Sequence, residues 1–240
     1  MKHTSLFCLV IIFTQTLFGQ NKYEYQTSKE GFEYIQVDNG KDSENLPLLI
    51  AFHYFGGSPN EIIADYNGIK NPVRIIIPKG NYKEGDGYSF YPSDYYEKDS
   101  LTQISLSKIT VDSLAKFVRS IENKFKQKAI ISGFSQGGDI ALLLAIHYPE
   151  LCKASLPFAA VIHSNIAQEL KHKPIKKIPI YLFQGEIDKV VSVLKTKKQV
   201  DEIGKMLKIK LYTYPNLGHN ISAQMKIDYS EIISKMTTEK

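Results

Sequence analysis

The hexapeptide Gly133-Phe134-Ser135-Gln136-Gly137-Gly138 constrains this chain more than any other stretch. A short β-branched run, Ala129-Ile130-Ile131, precedes it, and a long Ala- and Leu-rich run, Ile140-Ala141-Leu142-Leu143-Leu144-Ala145-Ile146, follows it. The first reads as a buried strand and the second as a helix. A Gly-x-Ser-x-Gly turn between such elements is tight enough to require glycine at its flanking positions. It raises the serine hydroxyl above the sheet, with a helix N-terminus beneath any charge that forms there. The pattern points to attack of Ser135 on a carbonyl carbon.

A serine hydroxyl is a weak nucleophile near neutral pH. It needs an adjacent base, and the base needs a carboxylate to orient it. In the α/β-hydrolases, whose nucleophile turn the Gly133 to Gly138 segment resembles, the acid and then the imidazole follow the serine in the chain. Three histidines lie well beyond Ser135: His163, His172 and His219. His172 sits in a Lys-rich stretch, and His163 follows a strand too early. His219 lies in the loop Pro215-Asn216-Leu217-Gly218-His219-Asn220 after the last strand-like run, where the base is expected. The run Tyr181-Leu182-Phe183-Gln184-Gly185-Glu186-Ile187-Asp188 supplies the acid, with Asp188 preferred and Glu186 the alternative. Asp201 falls within a helical pattern and reads as surface. The oxyanion of the tetrahedral intermediate needs backbone N–H donors. Gln136, next to the serine, offers one. The loop His53-Tyr54-Phe55-Gly56-Gly57-Ser58, after the strand-like Leu48 to Phe52, has the place to offer the second.

Strand-like and helix-like runs alternate along the rest of the chain. Phe32 to Val37 and Leu46 to His53 read as strands separated by the turn signal Asp38-Asn39-Gly40. Val73 to Ile77, Ala154 to Ala160, Ile178 to Gln184 and Ile209 to Tyr214 read as further strands. Ser107 to Phe125, Gln136 to Tyr148, Val190 to Leu207 and Ile221 to Met236 carry helical spacing. The alternation predicts an α/β fold with a mostly parallel sheet and crossover helices. The 240 residues suffice for one such domain, expected over 20–240. The Gly- and Tyr-rich segment Gly80 to Tyr96 reads as a long loop. Its aromatics either line a substrate cleft or cover the sheet edge.

Ahead of that domain, the polar Lys2-His3, the apolar Leu6 to Phe18 and the small Gly19 have the three-part layout of a secretory signal peptide over 1–19. The apolar stretch is shorter than a spanning helix, so no stable membrane span is expected. Without Lys2 the formal net charge of +5 falls to +4, with no dense basic block, which argues against nucleic acid as partner. Removal of the leader also takes Cys8 and leaves Cys152 alone, so no intrachain disulfide is expected. Cys152 reads as a buried small hydrophobe. No metal-ligand spacing appears among the His and Cys residues.

Taken together, Gly133 to Gly138, Gly185-x-x-Asp188-x-x-Val191 and Gly218-His219 resemble the α/β-hydrolase superfamily. Over residues 46 to 223 the likeness is to its phospholipase/carboxylesterase group, which includes acyl-protein thioesterases and bacterial carboxylesterases. Pro78-x-Gly80 and Gly87-Tyr88-Ser89-Phe90-Tyr91-Pro92 resemble the segment leading to that group's pocket rim. The resemblance implies the α/β-hydrolase fold with helices on both faces of the sheet. It also implies Ser135 as nucleophile, His219 as base and Asp188 as orienting acid, with Gln136 and Phe55 lending oxyanion N–H groups. Tyr54 stands where the group's His-Gly-x-Gly motif has glycine, leaving Tyr54 as the other donor. Tyr54, Tyr88 and Tyr91 are the candidate substrate-binding residues. No cofactor or metal is implied. The expected activity is that of a secreted or periplasmic esterase on a small-molecule or polysaccharide-linked ester. Two alternatives stay open: a peptidase or amidase on the same scaffold, and a non-catalytic binding protein that kept it.

Overall fold

The computed structural model describes residues 23–40, 45–172 and 175–238, and the expected leader lies outside the described residues. In chain order the elements are β1 (Gln26–Thr27), β2 (Glu33–Asn39), β3 (Leu48–Phe52), α1 (Pro59–Tyr66), β4 (Val73–Pro78), β5 (Tyr82–Glu84), β6 (Gly87–Ser89) and α2 (Ser100–Phe125). The second half carries β7 (Ala129–Phe134), α3 (Gln136–His147), β8 (Cys152–Phe158), α4 (Ile166–His172), β9 (Pro179–Gly185), α5 (Val193–Ile203), β10 (Lys208–Tyr214) and α6 (Ala223–Thr238).

Eight strands form one sheet in the order β1-β2-β4-β3-β7-β8-β9-β10. From β4 to β10 neighbours run parallel, whereas β1 and β2 pair antiparallel. The expected mostly parallel sheet is therefore present. Strand periodicity decides which layer each side chain joins. On β3, Leu48, Ile50 and Phe52 point into the layer built with α2 and α3, where Phe117, Val118 and Leu144 are buried. Leu49 and Ala51 point the other way, to Ile62, Ile63 and Tyr66 of α1 and Met225, Tyr229 and Ile233 of α6. Both faces of the central strands are covered, so those strands read as continuous apolar runs rather than alternating ones. Each buried Leu, Ile or Phe is worth about 1.5–3 kcal/mol. Such burial can sustain a fold without a disulfide, and Cys152 is a buried free thiol.

Several boundaries differ from the sequence expectation. Asp38 and Asn39 continue β2 instead of turning. Arg74 Nε and Nη2 donate to both Asp38 carboxylate oxygens at 2.9 and 2.7 Å, and Asn39 Nδ2 donates to the Ile69 carbonyl. Helix α2 begins at Ser100, seven residues before the expected Ser107. Asp99 caps it by accepting from the N–H groups of Leu101 and Thr102. Val190 and Val191 precede α5 rather than opening it, because Ser192 is its N-cap. Helices α1 and α4 lacked enough length to register as periodic runs. The segment expected as one loop holds the hairpin β5–β6 and a 3-10 turn at Tyr95–Glu97. None of the helices among the described residues is long and apolar enough to cross a membrane.

Candidate active site

Ser135 sits between β7 and α3 with φ 55° and ψ −116°. An L-residue in this region is strained by roughly 1–3 kcal/mol and persists only where its surroundings over-determine it. Here the Ser135 N–H donates to the Phe158 carbonyl at 2.9 Å and the Asp139 N–H returns to the Ser135 carbonyl. The backbone approaches so closely that side chains are excluded. A Cβ on Gly133 would lie 2.3 Å from the Gly137 carbonyl oxygen, and one on Gly137 would lie 2.0 Å from that of Phe52.

The loop after β10 brings His219 over this turn, with Nε2 2.9 Å from Ser135 Oγ. Its Nδ1 lies 2.8 Å from Asp188 Oδ2. Phe134 packs on the imidazole with ring centroids 4.9 Å apart. Asp188 also accepts from Gln184 Nε2 and from the N–H groups of Val190 and Val191. Burial pushes the Asp188 carboxyl up, but the Val191 amide, His219 and the Val190 amide outweigh it and hold it below the ordinary range. Nδ1–H thus faces a full carboxylate, and Nε2 is free to accept a proton from Ser135. The alternative acid, Glu186, is exposed and accepts from Thr213 Oγ1 instead. His163 lies beside His147 rather than beside Ser135.

Gln136 opens α3, so its N–H has no partner within the helix. The Phe55 N–H makes no backbone hydrogen bond among the described residues. Both are available to an oxyanion, and the loop carrying Phe55 is held from below by His53. That imidazole is fully buried, and its Nε2 accepts from the Gly80 N–H at 2.9 Å. Nδ1 must then carry the proton and donate to the Tyr54 carbonyl at 2.8 Å. The Gln136 side chain ties the serine turn to the segment after β6: Oε1 accepts from the Phe90 N–H, and Nε2 donates to Ser89 Oγ and Tyr96 Oη.

The buried His53 carries a pH-dependent stability. Burial lowers its pKa from 6.5 to about 4. Between those values the unfolded chain binds a proton that the folded one refuses, so stability falls as pH falls. The loss is on the order of 3 kcal/mol and levels off below the folded pKa. His53→Gln is expected to remove this slope, read as the difference in denaturant midpoints between native protein and variant from pH 7 to 4. The difference is the proper readout because burial raises the Asp139 pKa, which tilts stability the opposite way. A slope unchanged in the variant would contradict the assignment.

A cleft of about 460 Å³ opens over Ser135 and His219. Tyr54, Phe55, Tyr96 and Phe134 form its aromatic wall, and Val161, Val190 and Val191 its aliphatic one. The two tyrosines expected from the segment 80–96 do not line it. Tyr91 is fully buried and stacks on Tyr95 at 4.2 Å, because the 3-10 turn folds this stretch back into the core. The Tyr88 ring lies against the ammonium groups of Lys79 and Lys83. Its backbone instead exchanges hydrogen bonds with Gly56 and Gly57 and so braces the loop that carries Phe55. Tyr96, the last residue of that segment, takes the lining place, and Asp139 joins it. Asp139 stands four residues beyond Ser135, one helical turn on the same face, which is the signal that would have found it. No group of three or more His, Cys, Asp or Glu among the described residues could hold a metal ion.

Comparison with known proteins bears on this geometry. The family model described as Phospholipase/Carboxylesterase matches residues 33–237. Protein usf of Aquifex pyrophilus is 24% identical over 197 residues, covering 74% of this chain and 83% of that protein. The crystal structure of esterase PE8 superposes with a TM-score of 0.71 at 19% identity, covering 89% of this chain and 98% of that one. A carboxylesterase from Mesorhizobium loti superposes with a TM-score of 0.72 at 14% identity, covering 88% and 98%. At such identities the structural likeness speaks for the fold alone, which is that of the α/β hydrolases.

Proposed function

The chain belongs to the phospholipase/carboxylesterase family of α/β hydrolases, and from that premise we propose that it hydrolyses carboxylic esters through Ser135, His219 and Asp188. The observation that carries this reading is the unbroken line of contacts, 2.9 Å from Ser135 Oγ to His219 Nε2 and 2.8 Å from His219 Nδ1 to Asp188 Oδ2. His219 takes the serine proton as Oγ attacks the ester carbonyl. Asp188 holds the imidazole and stabilises the imidazolium, and the N–H groups of Gln136 and Phe55 stabilise the oxyanion. His219 then passes its proton to the leaving alkoxide. Water, deprotonated by the same histidine, attacks the acyl-enzyme carbonyl and regenerates Ser135. The apolar segment Leu6 to Phe18 is the ground on which we place the protein outside the cytoplasm.

The test is turnover of a p-nitrophenyl ester series from acetate to decanoate. Saturable hydrolysis, together with covalent labelling by a fluorophosphonate, is the expected result. No turnover and no labelling would overturn the reading. Labelling without ester turnover, accompanied by cleavage of amide substrates, would move it to an amidase.

A further inference from the structure

Asp139 is the feature of the cleft that ester hydrolysis by Ser135, His219 and Asp188 leaves without a role. It lies on the first turn of α3, is 5% exposed, and lines the same cleft as Ser135 and His219. One oxygen, Oδ1, accepts the Val161 N–H at 2.5 Å. The other, Oδ2, has no hydrogen-bond partner among the described residues. Nor does a cation stand near. Among the described residues no lysine or arginine lines the cleft, although the chain carries 30 of them. The groups that interact electrostatically with Asp139 are the phenols of Tyr91, Tyr95 and Tyr96.

Burial without a counter-charge pushes this carboxyl well above the ordinary carboxylate range, and a cation seated beside it favours the ionised form. The rings of Tyr54, Phe55, Tyr96 and Phe134 line the same space. Aromatic faces attract cations, best of all weakly hydrated ones, and a desolvated site strengthens that attraction. Resting on the esterase reading, we infer that the cleft selects esters bearing a positively charged ammonium group, which Asp139 Oδ2 and the aromatic wall receive. Asp139 is thus a specificity determinant, distinct from the three groups that carry out bond cleavage. The ammonium brings the counter-charge that the described lining of the cleft does not supply. An anionic ester meets a carboxyl and no cation, and is disfavoured.

The test uses acetylcholine and 3,3-dimethylbutyl acetate, which have the same shape and differ by one positive charge. Their affinities for the Ser135→Ala protein are measured by titration calorimetry, so that no turnover is needed. The choline ester is expected to bind at least about tenfold more tightly. In Ser135→Ala with Asp139→Asn the preference is expected to fall to within about twofold, with the affinity for the neutral ester unchanged. Asparagine keeps an oxygen for the Val161 N–H, so the loop after β8 retains its anchor. Equal affinity of the two esters for Ser135→Ala overturns the inference, whether or not the double variant folds. A preference that survives Asp139→Asn overturns it as well. Because both readings are of binding, failure here is separable from failure of the esterase reading, which rests on turnover by the native protein.

Discussion

Ser135→Ala is expected to abolish ester hydrolysis while leaving the fold intact. The loss should be on the order of a million-fold in kcat, the size seen when the nucleophile of a serine protease is removed. The neighbouring turn residues, Gly133, Phe134, Gln136 and Gly137, carry no hydroxyl to take its place. The fold is expected to survive because alanine keeps the Cβ. It meets the same positive φ that serine tolerates, and the bonds that fix the turn are backbone ones to Phe158 and Asp139. Stability within about 1 kcal/mol of native is the corresponding expectation, as for a change that opens no core cavity. Turnover of p-nitrophenyl butyrate and thermal unfolding of the same preparation check both halves. Activity above one-hundredth of native in a folded variant would remove Ser135 from the role of nucleophile.

Asp188→Asn is expected to cost about 10⁴-fold in kcat, through a proton in the wrong place rather than a lost contact. The Val190 and Val191 N–H groups donate to Oδ1, so the asparagine oxygen settles there and its NH₂ faces His219 Nδ1. The imidazole must then accept at Nδ1 and carry its proton on Nε2, towards Ser135 Oγ, where it has to be a base. The same NH₂ also meets Gln184 Nε2, another donor, which leaves a buried donor unpaired at about 1–3 kcal/mol. A fall in rate with KM nearly unchanged, and a lowered unfolding midpoint, are the paired signatures. In the native protein the Asp188 carboxyl is held below its ordinary range. Its contribution to stability is therefore complete above the unfolded carboxyl pKa of about 4, and is lost as pH falls through the lower folded value. Asp188→Asn removes that part of the acid sensitivity. A variant with native rates would exclude Asp188 as the orienting acid.

Part of this site was legible in the chain because its signals are local. Ser135 is announced by glycines that the crossing backbones of Phe52 and Gly137 require, and close backbone packing leaves no substitute for glycine. Asp188 and His219 were legible from chain order and from their places just after β9 and β10, since a parallel sheet puts all such loops at one edge. Tyr91 lies buried rather than at the cleft; its surroundings are aromatic and turn-rich, and nothing in Gly87 to Pro92 says which rings fold inward. Tyr91 stacks on Tyr95, whose hydroxyl lies 2.7 Å from Ser107 Oγ of α2, so its place is set by a helix that follows it in the chain. Tyr96 and Asp139 share the cleft although 43 residues separate them in the chain.

The alternation of strands and helices, the tight turn at Ser135 and the loop positions of Asp188 and His219 after it are written in the chain, because periodicity, glycine and loop position are properties of neighbours in sequence. Only the packing of distant segments settles which aromatic rings face the cleft, that His53 braces the loop carrying Phe55 through the Gly80 N–H, and that Asp139 stands in the cleft with no lysine or arginine of the described residues lining it. Those features arise where segments distant in the chain exclude water from one another, and neither burial nor a missing partner is written in any one of them.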